Sequence, residues 1–404
     1  MIAKQQRASF RQYIPSPDTP RIAGLAACDA RQWAEKACDN DFMRGWKAHW
    51  ESLAAQPYKG ITTDGNVVED LFHLNTEING GDYRINLCAA ATRVVEEAGD
   101  RERERLLKGL NAEEWRYWAN PEIYIYRHGI RLDEISDELC EAVFAVIRAS
   151  LSERGYAKAR GCMKVNHFLG DIVNGRKVLN ERSYNFCIFG KPSMTEPWGW
   201  QIFGHHFCMN FMIVGDDIVV SPIFMGAEPN VIDEGPDKGL ELFTDQEQLA
   251  MRLMSSMEES SIKAVRIFHA LSGPEYPPGR FHRADQRHLG GAFQDNRHGP
   301  QVVDDESQSP SGSRIELQLR LIDKHWNETY FAWIGGWGDQ DAFYYKVHSP
   351  AIMIEFDHHS GVFLTNKDAL PFHIHTIVRT PNGNDYGKAL LRQYFAKRGV
   401  AQKG

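Results

Sequence analysis

The chain has 404 residues, of which 42% are hydrophobic and 25% charged, so it carries enough apolar material for a large buried core. Its net charge is −8 and it contains no long basic run. That argues against the clustered lysine and arginine surface that nucleic acid or an anionic membrane would need.

Residues 1–40 read as a loosely structured arm, because "IPSPDTP" places three prolines close together and proline resists helix. A helix is expected over 41–58 around Trp46, Trp50 and Leu53, followed by an Asp-Gly turn signal in "ITTDGNVVEDLFHL". From residue 84 the pattern is helical, and "WRYWANPEIYIYRHGIRL" then reads as extended. The clearest helix covers 134–155: Leu139, Val143, Val146, Ile147 and Leu151 repeat at 3.6 residues, Ser136 fits the N-cap and Gly155 the stop. A second helix is expected over 156–174.

Strands follow in "SYNFCIFG" and in "GWQIFGHHFCMNFMIVGDDIVVSPIFMG", the latter folded around Gly215-Asp216-Asp217. "DQEQLAMRLMSSM" is helical. Residues 283–313 are polar and rich in Gly, Ser and Pro, which suits a disordered insert or a mobile lid. "RIELQLRLIDKHW" returns to helix, "ETYFAWIGG", "AFYYKVHS", "AIMIEFDHH" and "FHIHTIVRT" are strands, and "GKALLRQYFAKRG" closes the chain as a helix. This order predicts an α+β fold: a mostly antiparallel sheet flanked by helices, with a helical N-terminal half. An N-terminal arm with helices over 1–84 and an α+β catalytic domain over 85–404 are the expected division.

Seven cysteines are scattered with no C-x-x-C pair, as in a reduced cytoplasmic protein. No stretch approaches the roughly 20 apolar residues of a membrane helix, and no apolar leader is evident. The phosphate-cradle and serine-elbow motifs G-x-G-x-x-G, G-K-[ST] and G-x-S-x-G are not expected from any segment.

The chemistry concentrates in histidines. In "WGWQIFGHHFCMN", strand alternation puts Trp200, Ile202, Gly204, His206, Cys208 and Asn210 on one face. Gln201, Phe203, His205, Phe207 and Met209 fall on the other. The first face is small and polar at its centre, so His206 is the candidate for chemistry and Gly204 leaves room beside it. His205 then points to the packed interior. In "PFHIHTIVRTPNGNDYG", His373 and His375 share a strand face, which presents two imidazoles to one ion. His206, His373 and His375 are therefore the candidate metal ligands, with Glu355 or His205 as base or supporting residue. Arg379, on the same face, would hold an anionic substrate oxygen. Trp198 and Trp200 would form an aromatic wall for substrate. Glu228, after "IFMGA", borders the same expected pocket.

Simpler readings exist for each. H-x-H pairs arise by chance among sixteen histidines. Arg379 could pair with Asp385, His358 and His359 could be solvated beside a turn, Glu228 could be a solvated loop residue, and Cys208 is most simply a small buried apolar side chain.

The segments "WGWQIFGHHFCMNF", "SPIFMGAEP", "EGPDKGL", "IEFD" and "HIHTIVRTPNGNDYGKALLRQYF" together resemble the domain of unknown function 3500 family, continuously from about residue 85 to 396. Gly204, His205, His206, Phe224, Gly226, Ala227, Pro229, His373, Ile374, His375 and Thr376 carry the resemblance. Residues 1–84 and 283–313 depart from it. The resemblance implies that the two histidine motifs belong to one shared site.

The reading at this level is a metal-dependent enzyme, zinc first with iron, manganese or copper as alternatives. It would hydrolyse or cleave a C–C or C–O bond of a small aromatic or carbonyl-bearing molecule through a metal-bound water. A non-haem iron or copper oxygenase, and a ligand-binding protein whose histidines are hydrogen-bonded core, are the competing readings. The expected partner is a small molecule, not nucleic acid or membrane, and the sequence leaves a homo-oligomer open.

Overall fold

Among the described residues eleven strands form one sheet, because apolar, β-branched and aromatic residues dominate the second half of the chain. The computed structural model describes residues 9–58, 60–62, 67–75, 81–271 and 323–399. The strands are β1 (Leu107–Lys108), β2 (Ile130–Arg131), β3 (Tyr184–Gly190), β4 (Trp198–Gly204), β5 (Phe207–Val214), β6 (Asp217–Ala227), β7 (Arg266–Phe268), β8 (Tyr330–Gly335), β9 (Phe343–His348), β10 (Met353–His358) and β11 (Ile374–Arg379). Their order is β1-β3-β4-β5-β6-β11-β10-β9-β8-β7, with β2 on β3. Only β1–β3 and β7–β8 are parallel. The sheet joins β6 directly to β11, and that pairing brings the two histidine motifs together.

The described helices are α1 (Pro20–Ala27), α2 (Ala30–Cys38), α3 (Asp41–Ala54), α4 (Asp82–Glu97), α5 (Asp100–Leu106), α6 (Asp137–Ser150), α7 (Glu153–Ile172), α8 (Thr244–Ser256), α9 (Glu259–Val265) and α10 (Lys388–Lys397). The α+β expectation, with helices early and a mostly antiparallel sheet, is met. Apolar faces of α4, α6 and α7 pack on one side of the sheet, against Trp198, Trp200, Ile202, Phe207, Met209 and Phe211. The other side is covered by Leu71, Phe72, Trp115 and the C-terminal Tyr386, Leu390 and Leu391. Near the site it is covered by Ile61 and Trp118. With both faces covered, every residue of β5 is buried. A strand buried on both faces has no clean polar and apolar alternation to read.

Three expectations are corrected. Residues 1–40 are not a loose arm throughout: α1 begins with Pro20, where a missing N–H costs nothing, and α2 begins with an Asp29–Gln32 capping box. The helix expected to end at Gly155 ends at Ser150. Ser152 then caps α7 by accepting the Gly155 N–H, so Gly155 lies inside the next helix. The strand running through His205 and His206 is two strands, described below. The 283–313 insert lies outside the described residues, as does the helix expected over 314–326 except its last four residues.

The seven cysteines form no disulfide. No helix among the described residues is long and apolar enough to cross a membrane.

Candidate metal centre

β4 and β5 pair antiparallel, with Gly204 opposite Phe207, so His205 and His206 are the two residues of the turn. His206 adopts φ +59°, a left-handed conformation that costs a non-glycine residue on the order of 1 kcal/mol. The surroundings hold it there. The His206 N–H donates to the Asn120 side-chain oxygen at 3.2 Å, its carbonyl accepts the Gly226 N–H at 2.7 Å, and Tyr184 donates to the His205 carbonyl at 3.0 Å.

The turn also reverses the alternation. Ile202 pairs with Met209 and Phe203 with Cys208, so Trp200 and Ile202 share the helix-covered face with Phe207. Trp198 and Trp200 therefore form no wall at the site. Trp200 donates its indole N–H to Ser150 at 3.0 Å, and Trp198 donates to the Ser193 carbonyl. Gly204 leaves space for the Tyr184 ring, 2.6 Å from where a Cβ would stand, and not for a ligand.

His375 is the cross-strand neighbour of Gly226 on β6 and of Asp357 on β10. His373 lies two residues earlier. The three Nε2 atoms form a triangle of 3.1 Å for His206–His375, 3.1 Å for His373–His375 and 3.3 Å for His206–His373. All three residues are buried. The expected ligand set is thus the one that converges.

The triangle fits a divalent ion. With metal–nitrogen bonds of about 2.0–2.1 Å, three corners of a tetrahedron lie about 3.3–3.4 Å apart. Three adjacent corners of an octahedron lie closer, at about 3.0 Å. Hydrogen bonds alone cannot satisfy the cluster. His373 Nδ1 lies 2.7 Å from the Ser360 carbonyl, so Nδ1 carries the proton and Nε2 is a bare lone pair. At most two N–H groups then serve three edges, so at least one edge is left with two lone pairs or two N–H groups facing each other in a dry interior. A cation removes that conflict. Burial, reinforced by the neighbouring histidines, pushes His206 and His373 well below the ordinary imidazole range, so both are held in the neutral form that ligates. The Ser360 carbonyl is the outer partner that fixes a ligating imidazole's tautomer and aim.

A second layer surrounds the triangle. Glu228 is buried, not solvated: its Oε1 accepts the N–H groups of Val362, Phe363 and Leu364 at 2.8, 3.0 and 2.9 Å. It thereby anchors the loop that carries Ser360. Burial raises its carboxyl to about 7 against those three donors. His205 stacks on His206 with ring centroids 3.8 Å apart and bonds through Nδ1 to the Asn166 side-chain oxygen at 2.8 Å. Burial lowers His205 to about 4. His359 lies against the centre, its ring 4.1 Å from that of His375, and its Nε2 is 2.5 Å from the Asp357 carboxylate. His358, one residue earlier, points to the opposite side. It accepts the Phe343 N–H and donates to buried Glu247 at 3.0 Å. Neither histidine is solvated beside a turn.

Two expected residues are engaged elsewhere. Glu355 is buried but bonded by the Tyr344 hydroxyl at 2.5 Å, and its neighbour on β11 is Ile377. Arg379 is four residues beyond His375, about 13 Å along the strand at about 3.3 Å per residue. It donates two hydrogen bonds to Asp385 Oδ2, from Nε at 2.9 Å and Nη2 at 2.7 Å, while the Ser221 hydroxyl and the Thr380 N–H donate to Oδ1. Asp357, His359, Asn120 and Ser360 were not singled out as site residues. Asp357 could have been inferred from the β10–β11 register, since it shares a strand face with Glu355. Asn120 gives no signal in the sequence.

The profile of a protein family described only as "Protein of unknown function (DUF3500)" matches residues 84–316 and 307–388. The chain belongs to the DUF3500 family. Both histidine motifs of this DUF3500 protein fall inside the matched span, so the triangle is built from family sequence and not from the N-terminal helices. No curated protein and no solved structure matches the chain.

Proposed function

We propose that His206, His373 and His375 hold one divalent metal ion, zinc in the first instance, and that the protein is a metal-dependent hydrolase or lyase acting on a small molecule. The observation that carries this is the buried Nε2 triangle of 3.1–3.3 Å, whose three nitrogens a single cation satisfies together. Three imidazoles, with no carboxylate in the group among the described residues, leave an ion its full positive charge and an open position, the arrangement that polarises a carbonyl or lowers the pKa of a water.

The chain's own contribution follows from placement. Asp357 and His359 stand beside the triangle as a carboxylate–imidazole pair, where a proton from the reacting group can be taken up. They take the role expected of Glu355, whose carboxylate is bonded to Tyr344. Asn120 holds the His206 backbone and its amide nitrogen lies 3.5 Å from His375 Nε2, so it stands against the centre.

The test is elemental analysis of the purified full chain beside its His375→Ala variant. About one equivalent of metal in the first and none in the second is expected. No metal in either, and no uptake of added zinc, overturns the reading. Turnover assays on small esters and carbonyl compounds then address the enzyme. Activity should fall on chelation, return with metal, and be lost in His359→Ala while that variant keeps its metal.

A further inference from the structure

His205 is more than packing for His206. Asn166 donates its amide hydrogens to the Asn180 carbonyl at 2.9 Å and to Ser183 Oγ at 3.0 Å, which leaves its oxygen to accept from His205 at 2.8 Å. His205 Nδ1 is therefore the protonated nitrogen, and Nε2 is a bare lone pair. Among the described residues no donor reaches that Nε2, although the residue is only 5% exposed. That nitrogen is left to accept from whatever enters the space beside it, and a ligand's hydroxyl can take the place of water there.

His205 borders a cleft that lies between the 119–126 segment and the tip of the β4–β5 hairpin. The enclosed space is about 20 Å³, enough for one water-sized group. Glu122, Tyr124, Tyr126, Arg131 and Phe203 are among the residues that line it. An imidazole acceptor in the lining, room for one water-sized group and three aromatic rings beside it suit a ligand with a single hydroxyl on an aromatic body.

We propose that this cleft binds a small hydroxyl-bearing molecule, its O–H donating to His205 Nε2 and its apolar body lying against Tyr124, Tyr126 and Phe203. The inference rests on the enzyme reading only in taking that molecule as the substrate class; the binding itself needs no metal. Because the His205 and His206 rings stack at 3.8 Å, a molecule seated there lies one ring away from the metal centre.

Phenol is the probe, and toluene its match in shape without the hydroxyl. Titration of the full chain, followed by NMR, should show saturable phenol binding at least tenfold tighter than that of toluene. The ¹⁵N resonance of His205 Nε2 should move upfield as phenol binds, a signal that a purely structural histidine would not give. His205→Phe should erase the preference for phenol. His375→Ala should retain it, so a failed metal reading leaves this result intact. No phenol binding, equal affinity for toluene, or an unmoved Nε2 resonance overturns the proposal. The resonance is read on the unaltered chain, so the outcome does not depend on the variants folding.

Discussion

Glu228→Ala isolates the outer support of the centre. The carboxylate accepts three backbone N–H groups from residues 362–364, and Phe363 and Leu364 are buried. Removing it leaves those two donors without a partner, at about 1–3 kcal/mol each, while the Val362 N–H is near enough to the surface to find water. The loss of folding stability should therefore be about 4 kcal/mol. The same loop carries Ser360, whose carbonyl aims His373, so metal affinity should fall by about 10- to 100-fold as well. Urea unfolding of the metal-free protein measures the first effect and competition with a chelator of known affinity measures the second. Glu228→Gln keeps a carbonyl oxygen as acceptor and should cost less than half as much. A Glu228→Ala protein within about 1 kcal/mol of the parent, with unaltered metal affinity, would refute the reasoning, since neither the donors nor the loop would then depend on the carboxylate.

Gly226→Ala should weaken metal binding at least tenfold by competition assay, because its Cβ would stand 3.0 Å from Cδ2 of both His206 and His375 and 2.8 Å from the Ile374 carbonyl oxygen. His128 donates to Gln201 at 2.9 Å, and burial lowers it to about 4. Its folded value lies below the unfolded value of about 6.5, so its contribution is present above pH 6.5 and lost as pH falls toward 4. The full shift corresponds to about 3 kcal/mol, and since the ring keeps some solvent contact about 2 kcal/mol is expected. Urea midpoints across that range should show the fall, and His128→Phe should flatten it. Asp385→Asn leaves the Arg379 guanidinium buried without its anion and should cost about 3–5 kcal/mol in urea unfolding, yet leave metal content unchanged.

The histidine triad was legible because H-x-H on a strand needs only local alternation to bring two rings to one face, and the paired His-Cys-rich segment supplied the third. Its support was not legible, for reasons of register and turn geometry. A two-residue turn at His205-His206 inverts the face of every residue before it relative to every residue after it, so Trp198 and Trp200 changed sides. Tryptophan and glycine near a histidine gave no sign of that turn, since His206 holds a left-handed φ through contacts with Asn120 and Gly226, both distant in sequence. Asp357 replaces Glu355 beside the centre by the register of β10 on β11, a choice between two residues of one face. Arg379 and Asp385 pair locally, as their spacing allowed. The helices were read well where caps were clear, as at Ser136, and misplaced where only two extended residues, Leu151 and Ser152, separate α6 from α7.

X-ray absorption at the metal edge of the purified protein examines the central arrangement itself. Three imidazole nitrogens at about 2.0–2.1 Å, with scattering from three histidine rings that drops to two in His206→Ala, is the predicted spectrum. A metal-free protein, or an ion whose shell contains sulfur or carboxylate oxygen in place of these rings, would contradict it.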